Sequence, residues 1–117
     1  MRKIFHLSTC NTCQRIIKDL GGLKGLEHQD IKEKNISAKE LDAAKKKVGS
    51  YEALFSRRAR KFRIMGLHEK ELTEKDYRKL ILEEYTFLKR PVIVYDEEVF
   101  AGNAKKTVEA ANKAING

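Results

Sequence analysis

The chain has 117 residues, which is enough for one domain but not for two independent cores. Its hydrophobic content of 41% favours a folded protein. It has neither a run of eighteen apolar residues nor the apolar stretch of a signal peptide, so we expect a cytoplasmic protein without a membrane span. The 25 basic and 17 acidic residues give a net charge of +8, which suits an anionic partner or simply a well-solvated basic surface.

The first thirty residues predict a strand, a helix and a second strand. Residues 2–7 carry Ile, Phe and Leu in a loose alternation that favours a short β-strand. A helix opens next to Cys10, because apolar residues then recur at i, i+3, i+4 and i+7, namely Cys13, Ile16, Ile17 and Leu20. Two glycines at 21–22 end this helix, and residues 26–31 form a weaker strand.

The middle of the chain predicts polar helices. Ser37 and Glu40 have the spacing of a capping box and start the first of them. A second helical segment is predicted from Tyr51 to about Ile64, and a third opens at Thr73. Residues 37–90 contain fifteen basic and nine acidic side chains, an excess of six, so most of the net charge lies here.

The last third returns to strands. Residues 92–95 (Val-Ile-Val-Tyr) form a β-branched apolar run typical of a buried strand, and residues 99–101 form its partner. Asn103 is a plausible N-cap for a final helix. The order βαβ, helices, ββα predicts one α/β domain over residues 1–117, with residues 37–87 as an inserted helical subdomain.

Cys10 and Cys13 carry the strongest chemical signal. A thiol at the start of a helix is close to free backbone N–H groups and to the positive end of the helix dipole, and both favour its thiolate. Cytoplasmic disulfides are usually catalytic or redox-sensing. We therefore predict that Cys10, nearer the helix start, is a nucleophile and that Cys13 is the resolving thiol.

Two other interpretations of the cysteines stay open at this point. A zinc site needs about four ligands. The three histidines are isolated from one another and the chain has no second cysteine pair, so we expect no metal. Cys13 lies on the apolar face of its helix and could simply be a core residue. His6, within a predicted strand, is expected to be packed in the core rather than catalytic.

Three motifs, in this order and at these separations, resemble the arsenate reductase/Spx family. The first is Ser-Thr-Cys-Asn-Thr-Cys at residues 8–13. The second is Leu-Phe-Ser-Arg-Arg-Ala-Arg-Lys-Phe-Arg at residues 54–63, which aligns Arg58 with the family's arginine. The third is Leu-Lys-Arg-Pro-Val-Ile at residues 88–93, with Gly102 near the family's Val-Gly.

This resemblance implies a thioredoxin-like mixed sheet, βαβ…ββα, with a helical insertion between the halves. It implies a cis peptide between Arg90 and Pro91 that faces the cysteines. It also implies that Arg58, Arg90 and Pro91 form the anion- and substrate-binding site, in which each guanidinium matches two oxygens of an oxyanion. For Arg58 a solvated helix face is the competing interpretation. The implied activity is reduction of a small oxyanion or a glutathione-linked thiol substrate. We expect no bound cofactor, with glutathione or a glutaredoxin or thioredoxin as the external reductant.

The resemblance also contains an alternative function. Glutaredoxin-coupled arsenate reductases have a single essential cysteine, at the first position of the motif, and a third arginine near the position of Asn103. The Cys10–Cys13 pair is closer to Spx, a redox-sensing regulator that binds RNA polymerase, with its alpha subunit as the expected partner. Direct nucleic-acid binding by residues 57–63, of which five are basic, is not expected, because Phe62 is the only aromatic residue in the run.

Overall fold

The computed structural model describes residues 1–117, and a four-stranded mixed sheet forms its centre. The strands are β1 (Arg2–His6), β2 (Glu27–Asp30), β3 (Val92–Tyr95) and β4 (Glu98–Ala101), in the spatial order β2-β1-β3-β4. β1 is parallel to β2 and antiparallel to β3, and β3 is antiparallel to β4.

Five helices surround this sheet: α1 (Asn11–Asp19), α2 (Ala38–Val48), α3 (Arg60–Ile64), α4 (Glu74–Glu83) and α5 (Lys105–Asn116). Single 3₁₀ turns lie at Glu52–Leu54, Leu67–Glu69 and Tyr85–Phe87. The element order is the predicted βαβ, helices, ββα, and none of the helices is long and apolar enough to cross a membrane.

The alternation of side chains along the strands divides the core between the two faces of the sheet. On one face, Ile4 and Ile93 are paired across β1 and β3 and belong to a cluster with residues of α1 and α5. On the other face, Phe5 and Val92 belong to a cluster of 17 buried residues that takes in the helices of the insertion. Residues 37–87 therefore pack against the sheet itself. Their description as a subdomain stays a prediction.

The predicted helix starts are confirmed at both capping boxes. Ser37 accepts from the backbone N–H of Glu40, whose carboxylate accepts from the N–H of Ser37, so two otherwise free donors are satisfied at the start of α2. Thr73 and Asp76 do the same for α4. Gly49 ends α2 with φ at 100°, a left-handed conformation that favours glycine.

Two local predictions are wrong. The segment from Tyr51 to Ile64 is not one helix, because Phe55 forms a β-bridge with Leu88. The N–H of Ser56 donates to the carbonyl of Phe87 at 2.7 Å, and a turn at residues 57–58 then leads into α3, which begins at Arg60. Asn103 is not the N-cap of the last helix. Ala104 has the extended backbone of a cap, and no side chain caps α5.

Candidate active site

Cys10 is the N-cap of α1 and joins this helix to the end of β1. Its backbone is extended, with φ −94° and ψ 110°, and its N–H donates to the carbonyl of Leu7 at 3.0 Å. The Cys10 side chain makes no regular capping hydrogen bond, but the backbone N–H groups of Thr12 and Cys13 at the start of α1 favour its thiolate. The sulfur is half-buried, whereas Cys13 is fully buried against the apolar face of the helix.

The two thiols ionise very differently. Burial opposes ionisation of Cys10, but hydrogen bonds from the backbone and thiol of Cys13, followed by the positive charge of Arg90, outweigh it and lower the pKa of Cys10. Burial, with a smaller contribution from the neighbouring Cys10 charge, raises the pKa of Cys13 to about 12. Of the two thiols, Cys10 is therefore the one that ionises more readily.

Cys10 opens into a cleft of about 460 Å³ that is positively charged. Four basic residues line it, namely Arg57, Arg58, Lys89 and Arg90, and no aspartate or glutamate does. Arg57 is paired with Glu52 and hydrogen-bonded to the hydroxyl of Tyr77. The other three basic residues have no carboxylate partner, so their charge is available to an anion in the cleft.

Arg58 lies in this cleft because residues 55–59 do not form the helix that the sequence predicts. Because Phe55 is bridged to Leu88, residues 57–58 form an exposed turn, and Arg58 lies on that turn rather than on a helix face. Phe55 is fully buried and packs against Phe62, Tyr77 and Phe87, with ring centroids 4.9–6.0 Å apart, so the turn starts from a rigid residue. The structure thus brings Cys10, Arg58 and Arg90 to one cleft.

Pro91 and Cys13 are not among the residues that line the cleft. Both are buried, and the Arg90–Pro91 peptide is cis. The carbonyl of Pro91 accepts the N–H of Gly102 at 2.9 Å, which ties the start of β3 to the end of β4.

Several lining residues were not found by sequence analysis. Lys89 precedes Arg90 in the predicted motif and carried its own signal, a second cation beside the Arg-Pro pair. Ser56 and Thr107 gave none, since single hydroxyl residues are common in every class of loop and helix. Asn103 was assigned to a cap, but it lies in the cleft beside Gly102 and Ala104, at the start of α5.

His6 lies apart from the candidate active site. His6 is half-buried, its ring lies 5.9 Å from that of His28, and burial lowers its pKa. It does not line the cleft of Cys10. No group of three or more His, Cys, Asp or Glu side chains converges anywhere in residues 1–117.

A thioredoxin-like sheet with a Cys-x-x-Cys pair at the start of its first helix defines the class of thiol-redox proteins. Within that class, residues 5–111 match the model of the ArsC family, and the chain belongs to this family. A search of curated proteins finds no match.

Solved structures of similar fold cover nearly the whole chain. An arsenate reductase from Vibrio cholerae has a TM-score of 0.76 and 17% identity, over 93% of this chain and 95% of its own. An arsenate reductase (ArsC) related protein from Brucella melitensis has a TM-score of 0.69 and 25% identity, over 93% and 92% of the two chains. A protein from Staphylococcus aureus has a TM-score of 0.73 and 22% identity, over 94% and 97%.

Proposed function

We propose that the protein is a cytoplasmic thiol–disulfide oxidoreductase of the arsenate reductase type. The observation that carries the proposal is the position of Cys10, a half-buried helix N-cap facing a cleft that contains four basic residues and no acidic one. This arrangement supports a thiolate at neutral pH and attracts an anionic substrate to it. Cys10 is the nucleophile and Cys13 the resolving thiol.

The reaction on a glutathione-linked disulfide runs in two exchanges. The Cys10 thiolate attacks one sulfur of the disulfide, the S–S bond breaks, and the other sulfur leaves as a thiolate that takes a proton from water. Cys13 then loses its proton and attacks the Cys10 sulfur, which releases the second thiol and leaves a Cys10–Cys13 disulfide. Glutathione, a glutaredoxin or a thioredoxin supplies the two electrons that restore the dithiol, so no bound cofactor is required.

Arg58 and Arg90 are the proposed substrate-binding residues, and Pro91 fixes the start of the strand that carries Arg90. A guanidinium can donate two hydrogen bonds to a carboxylate of glutathione or to an oxyanion. One water takes about 30 Å³ of liquid volume, so a cleft of about 460 Å³ is much larger than a single tetrahedral oxyanion. The size favours a substrate with a peptide portion, and we expect weak arsenate reduction at most.

An NADPH-linked assay with glutaredoxin, glutathione and glutathione reductase tests this proposal. We expect turnover with a glutathione mixed disulfide, little with arsenate, and none in Cys10→Ser. Arg58→Met should lower kcat/KM, whereas Arg63→Met, an equally exposed change outside the cleft, should not. Wild-type protein without turnover on either substrate would refute the enzymatic proposal.

A second candidate is an Spx-like regulator that binds the RNA polymerase alpha subunit. The observation that favours it is the exposed surface of α3, where Ile64 is 78% exposed and where Arg60 and Arg63 have no acidic partner. Such a surface suits an acidic protein partner and predicts salt-sensitive binding. Retention of the alpha subunit at low salt that is lost in Arg60→Glu/Arg63→Glu would support this candidate, and no retention by reduced or oxidised wild type would refute it.

A further inference from the structure

Arg90 is held near Cys10 by an uncharged group. Its guanidinium donates to the carbonyl oxygen of Thr86 at 3.4 Å and forms no ion pair. Because the partner is neutral, the positive charge of Arg90 is not cancelled, and it acts on the Cys10 thiol. The placement of this charge therefore depends on what fixes the Thr86 carbonyl.

Glu84 fixes Thr86. It is the N-cap of the 3₁₀ turn Tyr85–Phe87, and its Oε2 accepts both the backbone N–H of Thr86, at 3.2 Å, and its hydroxyl, at 2.9 Å. The other oxygen of Glu84 pairs with Lys61 of α3. This ion pair neutralises the carboxylate, which would otherwise oppose the charge of Arg90, and it connects the cap to α3.

We propose that Glu84 is a positioning residue for Arg90, which it holds in the active-site cleft through the capped carbonyl of Thr86. The role deepens the proposed function and rests on Cys10 as its nucleophile. The titratable groups that face Cys10 are Cys13, from α1, and the four basic residues of the cleft lining. The charge of Arg90 lowers the pKa of Cys10, so a change in its position reaches Cys10 directly.

The chain contains a matched control for Glu84. Asp76 accepts from Thr73 in the same way, with its Oδ2 at 2.9 Å from the N–H and 3.0 Å from the hydroxyl, but it caps α4 and lies outside the cleft lining. Glu84→Ala and Asp76→Ala each remove a carboxylate that accepts two hydrogen bonds from one threonine. Both should lower the melting temperature, whereas only Glu84→Ala should change the chemistry of Cys10.

The test is the rate of Cys10 alkylation by iodoacetamide as a function of pH, read by mass spectrometry. Below the wild-type midpoint, Glu84→Ala should slow the reaction by about two- to threefold through a smaller thiolate fraction, and Asp76→Ala should not. In an Arg90→Met background, Glu84→Ala should have no further effect. Glu84→Gln keeps an oxygen that can accept both hydrogen bonds from Thr86, so its Cys10 should react at close to the wild-type rate.

Two results overturn the proposal. One is equal Cys10 profiles for Glu84→Ala and Asp76→Ala, and the other is an effect of Glu84→Ala that persists in full without Arg90. Where Glu84→Ala does not fold, Thr86→Val replaces it and removes only the hydroxyl donor. A wild type whose Cys10 reacts no faster than Cys13 refutes the proposed function instead. The positioning role is then judged by ¹⁵N relaxation of the Arg90 Nε, which should show a more mobile side chain in Glu84→Ala than in Asp76→Ala.

Discussion

Removal of the Cys13 thiol gives the sharpest test of the two-exchange mechanism, because the pKa values of the two thiols are shifted in opposite directions. Burial and the Cys10 charge raise the pKa of Cys13 to about 12, so only about 10⁻⁵ of it is thiolate at about pH 7, against about 3% for a free thiol. Formation of a mixed disulfide at Cys10 removes the contribution of that charge but leaves Cys13 buried. Close placement of the two sulfurs, with effective molarities of about 10⁵ M or more, offsets the low ionisation.

We therefore expect the second exchange to limit the reaction. Its rate should rise about tenfold per pH unit between about pH 6 and pH 9, whereas the first exchange should level off at lower pH as Cys10 becomes fully ionised. Reaction with oxidised glutathione, acid quenching and mass spectrometry measure the glutathione adduct over time. In Cys13→Ala the adduct should persist until a thiol is added. An adduct that decays in Cys13→Ala as fast as in wild type, or a decay independent of pH, would show that Cys13 is only a core residue.

Three further predictions concern the site and the fold that supports it. Arg90→Met should raise the pKa of Cys10 because a nearby positive charge is lost, while Arg63→Met, exposed and outside the cleft, should leave it unchanged in the same alkylation assay. Ser37→Ala should lower the free energy of unfolding by about 1 kcal/mol through loss of the capping box of α2, measured by urea denaturation, and a loss below about 0.3 kcal/mol would contradict it. Phe55→Ala should cost about 3–5 kcal/mol, because Phe55 is fully buried among three aromatic rings, and half-buried Phe100→Ala should cost less at an unchanged m-value.

The sequence predicts those parts of the fold that depend on local patterns. Capping boxes at Ser37 and Thr73 act within one helical turn, and the apolar spacing of α1 needs no distant contact, so both could be found from the residues alone. The same holds for Cys10, whose chemistry follows from its place at a helix start. The parallel pairing of β1 with β2 can also be predicted, because a helix between two neighbouring strands provides the crossover that parallel strands need.

The cleft could not be predicted from local patterns, because two of the segments that line it are positioned by contacts between residues distant in sequence. The bridge between Phe55 and Leu88 joins positions 33 residues apart, and it overrides the helical pattern of residues 51–64. The N–H of Gly102 bonds to the carbonyl of Pro91, which places Asn103 at the cleft and leaves Ala104 as the cap. Only motifs matched to a known family indicated that Arg58 and Arg90 would meet Cys10.

The ionisation of Cys13 also predicts how stability depends on pH. In the unfolded chain Cys13 loses its proton near pH 8.5, whereas burial raises its folded pKa to about 12, so from about pH 8.5 upward the unfolded state alone is stabilised by ionisation. Stability is therefore lost as pH rises between these two values, at about 1.4 kcal/mol per pH unit, or about 2 kcal/mol at pH 10. Cys10 ionises at lower pH in the folded state than in the unfolded chain, and because wild type and Cys13→Ala share this difference, it cancels in their comparison. Under reducing conditions, the stability advantage of wild type over Cys13→Ala should shrink by this amount between about pH 8 and pH 10, while its advantage over Ser37→Ala stays constant. A constant difference between wild type and Cys13→Ala would mean that Cys13 ionises in the folded protein as an ordinary thiol does, and the difference in acidity between Cys10 and Cys13 would lose its basis.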